Sequence, residues 1–97
     1  MDIFAVVTSI AALVMTPEQS TAAVLKDVFD ERQSQDKQWG GPDHDDCHLE
    51  VDWVSYIVRQ LGMASEYDVA PEVFQTRMVK VAALAVAAVE SSRRRDQ

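Results

Sequence analysis

Apolar residues crowd almost every position from Ile3 to Met15, and Ile3, Phe4, Val6, Val7, Ile10, Leu13 and Val14 fall on all sides of a helical wheel. The pattern predicts a short helix over residues 2–15. A helix apolar all round needs burial on more than one side, which points to a subunit contact. The texture then changes. Thr16-Pro17-Glu18-Gln19 is a helix start: Thr16 caps, Pro17 suits the first helical position, and Gln19 completes a capping box. Ala22, Leu25, Val28, Phe29 and Arg32 share one side at spacings of three and four, so the helix continues to about Gln38. Beyond Phe29 it turns polar, which suits either solvent or the edge of a pocket.

Trp39 closes this helix and Gly40-Gly41-Pro42 breaks it. Asp43-His44-Asp45-Asp46 offers caps for a third helix, whose apolar stripe is Leu49, Trp53, Val54, Ile57, Val58 and Leu61. Gly62 either ends that helix or admits a close neighbour. A turn over Ser65 to Ala70 precedes a restart at Pro71, and the last helix runs to about Ser92. Its Phe74, Met78, Val81, Ala85 and Ala88 recur at alternating spacings of four and three, the seam of a bundle. Arg93-Arg94-Arg95 follows the last turn, where positive charge complements the helix dipole. The expected architecture is all-α, an antiparallel four-helix bundle in one domain, with residues 1–15 as an apolar addition to a core of residues 16–95.

Composition narrows the function classes. The chain has 97 residues and a net charge of −7, which speaks against a nucleic-acid binder, since that needs a basic face. Residues 1–52 carry eleven acidic and three basic groups, and residues 53–97 carry five and six; an acidic half beside a near-neutral one suits docking within or between chains, and ordinary solvated faces are the plainer reading. The apolar first segment favours a homodimer or higher homo-oligomer, the alternative being a core helix of a monomer. A single cysteine, Cys47, excludes an internal disulfide framework and suits a reducing cytoplasm. The apolar start has no basic flank and is shorter than the roughly 20 residues that cross a bilayer, so neither a signal peptide nor a membrane span is expected.

His44-Asp45-Asp46-Cys47-His48 holds metal-ligand types, yet no second cluster completes a zinc site. The plainer alternative is a helix cap with two surface histidines. Cys47 lies among carboxylates, which blunt a thiol. Gly40-Gly41 alone makes no phosphate loop.

One set of residues carries a resemblance. Glu31-Arg32-Gln33-x-Gln35-Asp36-Lys37-x-Trp39-Gly40, then His44-Asp45, then Leu61-Gly62, then Val79-x-Val81-Ala82-Ala83-x-Ala85-Val86-Ala87, resembles the short MazG-like proteins of the all-α nucleoside triphosphate pyrophosphohydrolase group. The likeness covers about residues 24–95. It implies a helical bundle and a family reaction in which magnesium assists cleavage of nucleoside triphosphates to monophosphate and pyrophosphate. That metal is held by Glu-Glu-x-x-Glu on one helix and Glu-x-x-Asp on the next, because magnesium prefers hard oxygen ligands and bridges phosphate oxygens.

The resemblance departs where the metal would sit. Arg59-Gln60-Leu61-Gly62-Met63 stands where the family has Glu-Glu-Leu-Gly-Glu, and Arg77-Met78-Val79-Lys80 where it has Glu-x-x-Asp. Arg59, Gln60, Met63, Arg77 and Lys80 therefore replace five acidic positions. The expectation is a pseudoenzyme with no catalytic residues, no metal and no cofactor. Cations facing a bundle interior need partners. Glu31, Asp36, Asp45, Asp46, Asp52 or Glu66 would supply them by internal pairing. Alternatively Arg59, Arg77 and Lys80 bind a phosphate or nucleotide, with Trp39 to stack on a base and Gln35, Lys37 and His44 nearby. A surviving pyrophosphohydrolase would have to gather Mg2+ on Glu31, Asp36, Asp45, Asp46 and Glu66. A third class is a helical module that binds a protein partner.

Overall fold

The computed structural model describes residues 14–65 and 69–96, which are helical and contain no strand. Four helices succeed one another: α1 (Pro17–Trp39), α2 (Pro42–Asp45), α3 (Glu50–Ala64) and α4 (Pro71–Arg95). The chain is all-α, as expected. The helix expected over residues 2–15 lies outside the described residues, apart from Val14 and Met15, which form a turn and a non-helical lead-in to Thr16. Glu66 lies outside them too.

The start of α1 follows its sequence. Thr16 Oγ1 accepts from the Gln19 backbone N–H at 3.1 Å, and Gln19 Oε1 accepts from the Thr16 N–H at 2.9 Å. A reciprocal cap of this kind contributes about 1 kcal/mol. The end of α1 is a left-handed glycine: Gly40 has φ 105° and its N–H donates to the Asp36 carbonyl at 2.9 Å. Gly41 also has positive φ, 72°, so both glycines occupy backbone that side-chain-bearing residues avoid.

The third helix differs from its expectation. Asp43 to Asp45 do not cap it; with Pro42 they form the single turn of α2, and α3 starts only at Glu50. The cap there is Asp52, whose carboxylate accepts the Leu49 N–H at 2.8 Å. Pro42 after two positive-φ glycines sets a helical turn early, and the chain needs the next residues to re-aim before α3 begins. Gly62 does not end α3, which runs on to Ala64. Nor does it admit a neighbour within the chain: no atom among the described residues lies within 4 Å of where its Cβ would stand.

Helix α4 is the one on which α1, α2 and α3 all pack, while α1 and α3 make no comparable contact with each other. The buried face of α4 is Ala83, Ala87 and Ser91. This corrects the expected seam, since Phe74 and Ala85 are exposed and Met78, Val81 and Ala88 only half-buried. Small side chains at spacings of four let neighbouring helices approach closely, and a hydrophobicity pattern ranks the larger residues above them. The arginine run is also inside the helix, because α4 extends through Arg95. Arg94 clamps Asp46: Nε donates to Oδ2 at 2.9 Å and Nη2 to Oδ1 at 2.7 Å. Ser91 Oγ donates to Asp46 Oδ1 at 2.9 Å, which ties the loop after α2 to the end of α4.

The clamp has a pH signature. The hydrogen bond from Arg94 holds the Asp46 carboxyl below its ordinary range, with Ser91 and the charge of Arg94 adding to the effect against some desolvation. A carboxyl lowered in the folded state stabilises the fold above its unfolded pKa, and that stability is lost as pH falls through the folded value. Denaturant unfolding across an acid series is expected to show a steeper fall for the natural chain than for Asp46→Asn. Parallel curves for the two would contradict this clamp.

No helix among the described residues is long and apolar enough to cross a membrane.

Candidate functional site

With α1 and α3 both seated on α4 but apart from each other, a cleft of about 500 Å³ opens between them. The polar end of α1 lines one wall with Glu31, Arg32, Gln35, Gln38 and Trp39. Helix α3 lines the other with Trp53, Tyr56, Arg59, Gln60 and Met63, and α4 supplies the floor through Arg77, Lys80 and Leu84. His44, Asp45 and His48 close one end. The polar turn of α1 beyond Phe29 thus projects over a pocket.

Arg59, Arg77 and Lys80, from two helices, meet in this one cleft. Their partners differ. Lys80 Nζ donates to Glu31 Oε1 at 3.0 Å, the internal pairing that sequence reading anticipated as one alternative. Arg77 Nη1 donates to the neutral Gln60 Oε1 at 3.1 Å. Among the described residues, neither Arg77 nor Arg59 has a carboxylate within ion-pair distance.

Beneath α1 lies a buried arginine. Arg32 Nη2 donates to Asp36 Oδ1 at 3.1 Å and to Asp45 Oδ2 at 3.3 Å, and Nη1 donates to Gln35 Oε1 at 3.3 Å. Its Nε has no hydrogen-bond partner among the described residues, with Glu90 Oε1 3.5 Å away. A buried ion needs most of its donors met, so this cluster fixes α1 to α2 and α4 by geometry. Gln35 Nε2 donates in turn to Glu31 Oε1 at 3.4 Å, linking Arg32 to Lys80 through one polar chain.

The closed end is aromatic. Trp39 stacks on His44 with ring centroids 6.0 Å apart, and His48 meets Trp53 and Tyr56 edge-on at 5.2 and 5.3 Å. His44 and His48 share a hydrogen bond between their Nε2 atoms at 3.2 Å, one ring donating and the other accepting. The two histidines are neighbours because α2 and the turn after it carry them round one helical turn, contrary to a reading of both as surface residues. Cys47 faces outward, and its thiol donates to the Asp43 carbonyl at 3.3 Å.

The remaining sequence candidates separate. Lys37 is exposed on α1 and does not line the cleft. Asp36 borders a smaller groove with Leu25, Phe29 and Val86 on the other side of Arg32. Asp46 is engaged by Arg94, away from the cleft. Of the acidic residues considered as relocated magnesium ligands, only Glu31 and Asp45 reach the cleft among those described, each already paired with a cation. Among the described residues, no three of His, Cys, Asp and Glu gather into a metal-holding group. Sequence reasoning weighed His48 only as a metal ligand or surface residue and passed over Trp53 and Tyr56 as site residues. Their signal is the aromatic pair three apart on α3, which a stripe read only for hydrophobicity assigns to the core.

In a chain of net charge −7, the cleft lining carries four cations, Arg32, Arg59, Arg77 and Lys80, against two acids, Glu31 and Asp45. Arg32 is offset further by Asp36 and Glu90, so among the described residues the positive charge left without a carboxylate partner is that of Arg59 and Arg77. The chain matches no protein-family model, no curated protein and no solved structure.

Proposed function

We propose that the cleft binds a phosphate-bearing, nucleotide-type ligand, on a MazG-like helical frame that lacks the family's magnesium carboxylates. The observation that carries this reading is the convergence of Arg59, Arg77 and Lys80 on a cleft whose other end is an aromatic wall. Guanidinium groups match phosphate oxygens in geometry as well as charge, and flat aromatic faces accept a base whatever its identity. Arg77, held by a neutral amide, and Arg59 are the cations most ready to meet an anion; Lys80 would exchange Glu31 for it. The role is non-catalytic, because the same positions hold cations where the family's mechanism requires carboxylates. With its single cysteine, Cys47, suited to a reducing compartment, the protein would act in the cytoplasm.

Equilibrium binding of nucleoside triphosphates, monophosphates and inorganic pyrophosphate, measured with a chelator present, tests it. The expected result is saturable binding that persists in chelator and strengthens with the number of phosphates. Binding that appears only with magnesium, accompanied by pyrophosphate release, would instead establish a working pyrophosphohydrolase built on Glu31 and Asp45.

A further inference from the structure

His44 and His48 do more at the closed end of the cleft than join its wall. Both are half-buried, and their Nε2 atoms are 3.2 Å apart. The ring centroids are 4.8 Å apart and the ring planes stand at 86°. A straight hydrogen bond between two Nε2 atoms lies along the axes of both rings, and at this N···N distance it would put the centroids about 5.5 Å apart. The shorter separation shows that the rings are bent off that line. Rings that converge on one metal ion are bent off it too: with nitrogens at this spacing and about 2.0–2.1 Å from the ion, the centroids fall about 5.0 Å apart. The N···N spacing fits as well, between the ~2.9 Å of ligands at right angles and the ~3.3 Å of a tetrahedral pair.

The two rings are also held where they are. Trp39 stacks on His44, and Trp53 and Tyr56 meet His48 edge-on. The backbone that carries them is tied down at three points. Arg32 engages Asp45, Arg94 engages Asp46, and the Arg95 guanidinium donates to the His48 carbonyl. A ligand pair fixed in advance binds more tightly, because less freedom is lost when the ion arrives. The charge of the stretch suits a cation. Asp43 to Asp52 holds five carboxylates and no lysine or arginine. Of these, Asp43, Glu50 and Asp52 have no ion-pair partner among the described residues.

We propose that His44 and His48 chelate a divalent transition ion of the zinc, nickel or copper type through their Nε2 atoms. Imidazole suits these ions and not magnesium, which prefers oxygen. Each Nε2 donates a lone pair. The proton that one Nε2 carries in the hydrogen-bonded pair moves to the Nδ1 of the same ring, so both rings are neutral in the complex. Among the described residues no third His, Cys, Asp or Glu joins them. The other positions of the ion are therefore left to water or to a small anion. A site with two ligands from the chain binds more weakly than a closed structural zinc site, with a dissociation constant of about 1–100 µM. The pair shares the cleft with Arg59 and Arg77, yet its chemistry does not depend on the phosphate reading.

Calorimetric titration of the full chain with zinc chloride tests the site. The chain carries no histidine tag, and neither phosphate nor nucleotide is present, so the result stands apart from phosphate binding. One ion per chain is expected, with magnesium chloride giving no comparable heat. His44→Gln and His48→Gln should each weaken zinc binding by roughly 10-fold or more, and circular dichroism checks that both variants stay helical. Cys47→Ser should leave it unchanged. In the natural chain, where no substitution disturbs folding, zinc should shift the ring NMR signals of both histidines together. A lack of saturable zinc binding up to about 1 mM overturns the inference. So does binding that survives both histidine substitutions, binding that Cys47→Ser abolishes, or binding that leaves the ring signals of either histidine in place.

Discussion

Arg32→Ala is expected to remove a large share of the protein's stability. The guanidinium is buried, and so is the Asp45 carboxylate it serves, with side chains 11% and 9% exposed. Removing one member of such a pair strands the other in a medium that cannot solvate it, at a cost of about 3–5 kcal/mol. Asp36 and Glu90 also lose their partner, although water reaches both. Domains of this kind have only about 5–15 kcal/mol in hand. A loss of that size lowers Tm by roughly 15 °C or more in a chain this small. Chemical denaturation of Arg32→Ala, Asp45→Asn and the double variant would show it. The double variant should be less destabilised than the two single losses added together, because Asn leaves no stranded charge. If Arg32→Ala unfolds within about 1 kcal/mol of the natural chain, the cluster is an ornament of the fold and not its clasp.

The second large effect concerns the cleft. Arg59→Gln and Arg77→Gln should each weaken triphosphate binding by roughly 10- to 100-fold, as each removes a charge-assisted hydrogen bond to phosphate worth about 1.5–3 kcal/mol. Glutamine is shorter than arginine but keeps the wall polar, and the fold should not register the change; both residues line the cleft, and neither closes an internal ion pair among the described residues. Glu31→Gln should act oppositely and tighten binding, since it releases Lys80 from its 3.0 Å contact. Lys26→Gln provides the comparison: its ammonium sits on the exposed side of α1, engaged with Asp30 at 2.9 Å, and its loss should leave binding unchanged. Titration calorimetry separates these four results. An unaltered affinity in both arginine variants would exclude the cations as the anchor of the ligand.

Much of this was legible in the chain before any coordinates. Thr16, Pro17 and Gln19 placed the start of α1 to the residue, and Gly40 its end, because caps and left-handed glycines are local chemistry that packing rarely overrides. That Arg59, Arg77 and Lys80 line one cleft was not readable from spacing, since residues so far apart in sequence meet by topology. Two features resisted reading. Three candidate caps, Asp43, Asp45 and Asp46, made several starts of the third helix plausible, and the outcome turned on Pro42 and on a carboxylate further along, Asp52. On α4, the large residues at bundle spacing drew attention from Ala83, Ala87 and Ser91, which pack because they are small. Periodicity shows which faces a helix has, and not which of them a neighbour will choose.

Because α1 and α3 each pack on α4 and make no comparable contact with each other, the described helices resemble two leaves on one spine. Each leaf can loosen without consulting the other, so the free protein pays for an open cleft in cooperativity. A ligand that touched Trp39 on one leaf and Arg59 on the other would be the missing bond between them. Occupancy would then be read out as rigidity across the whole chain, far from any atom it contacts, and the protein could report the presence of its ligand without transforming it.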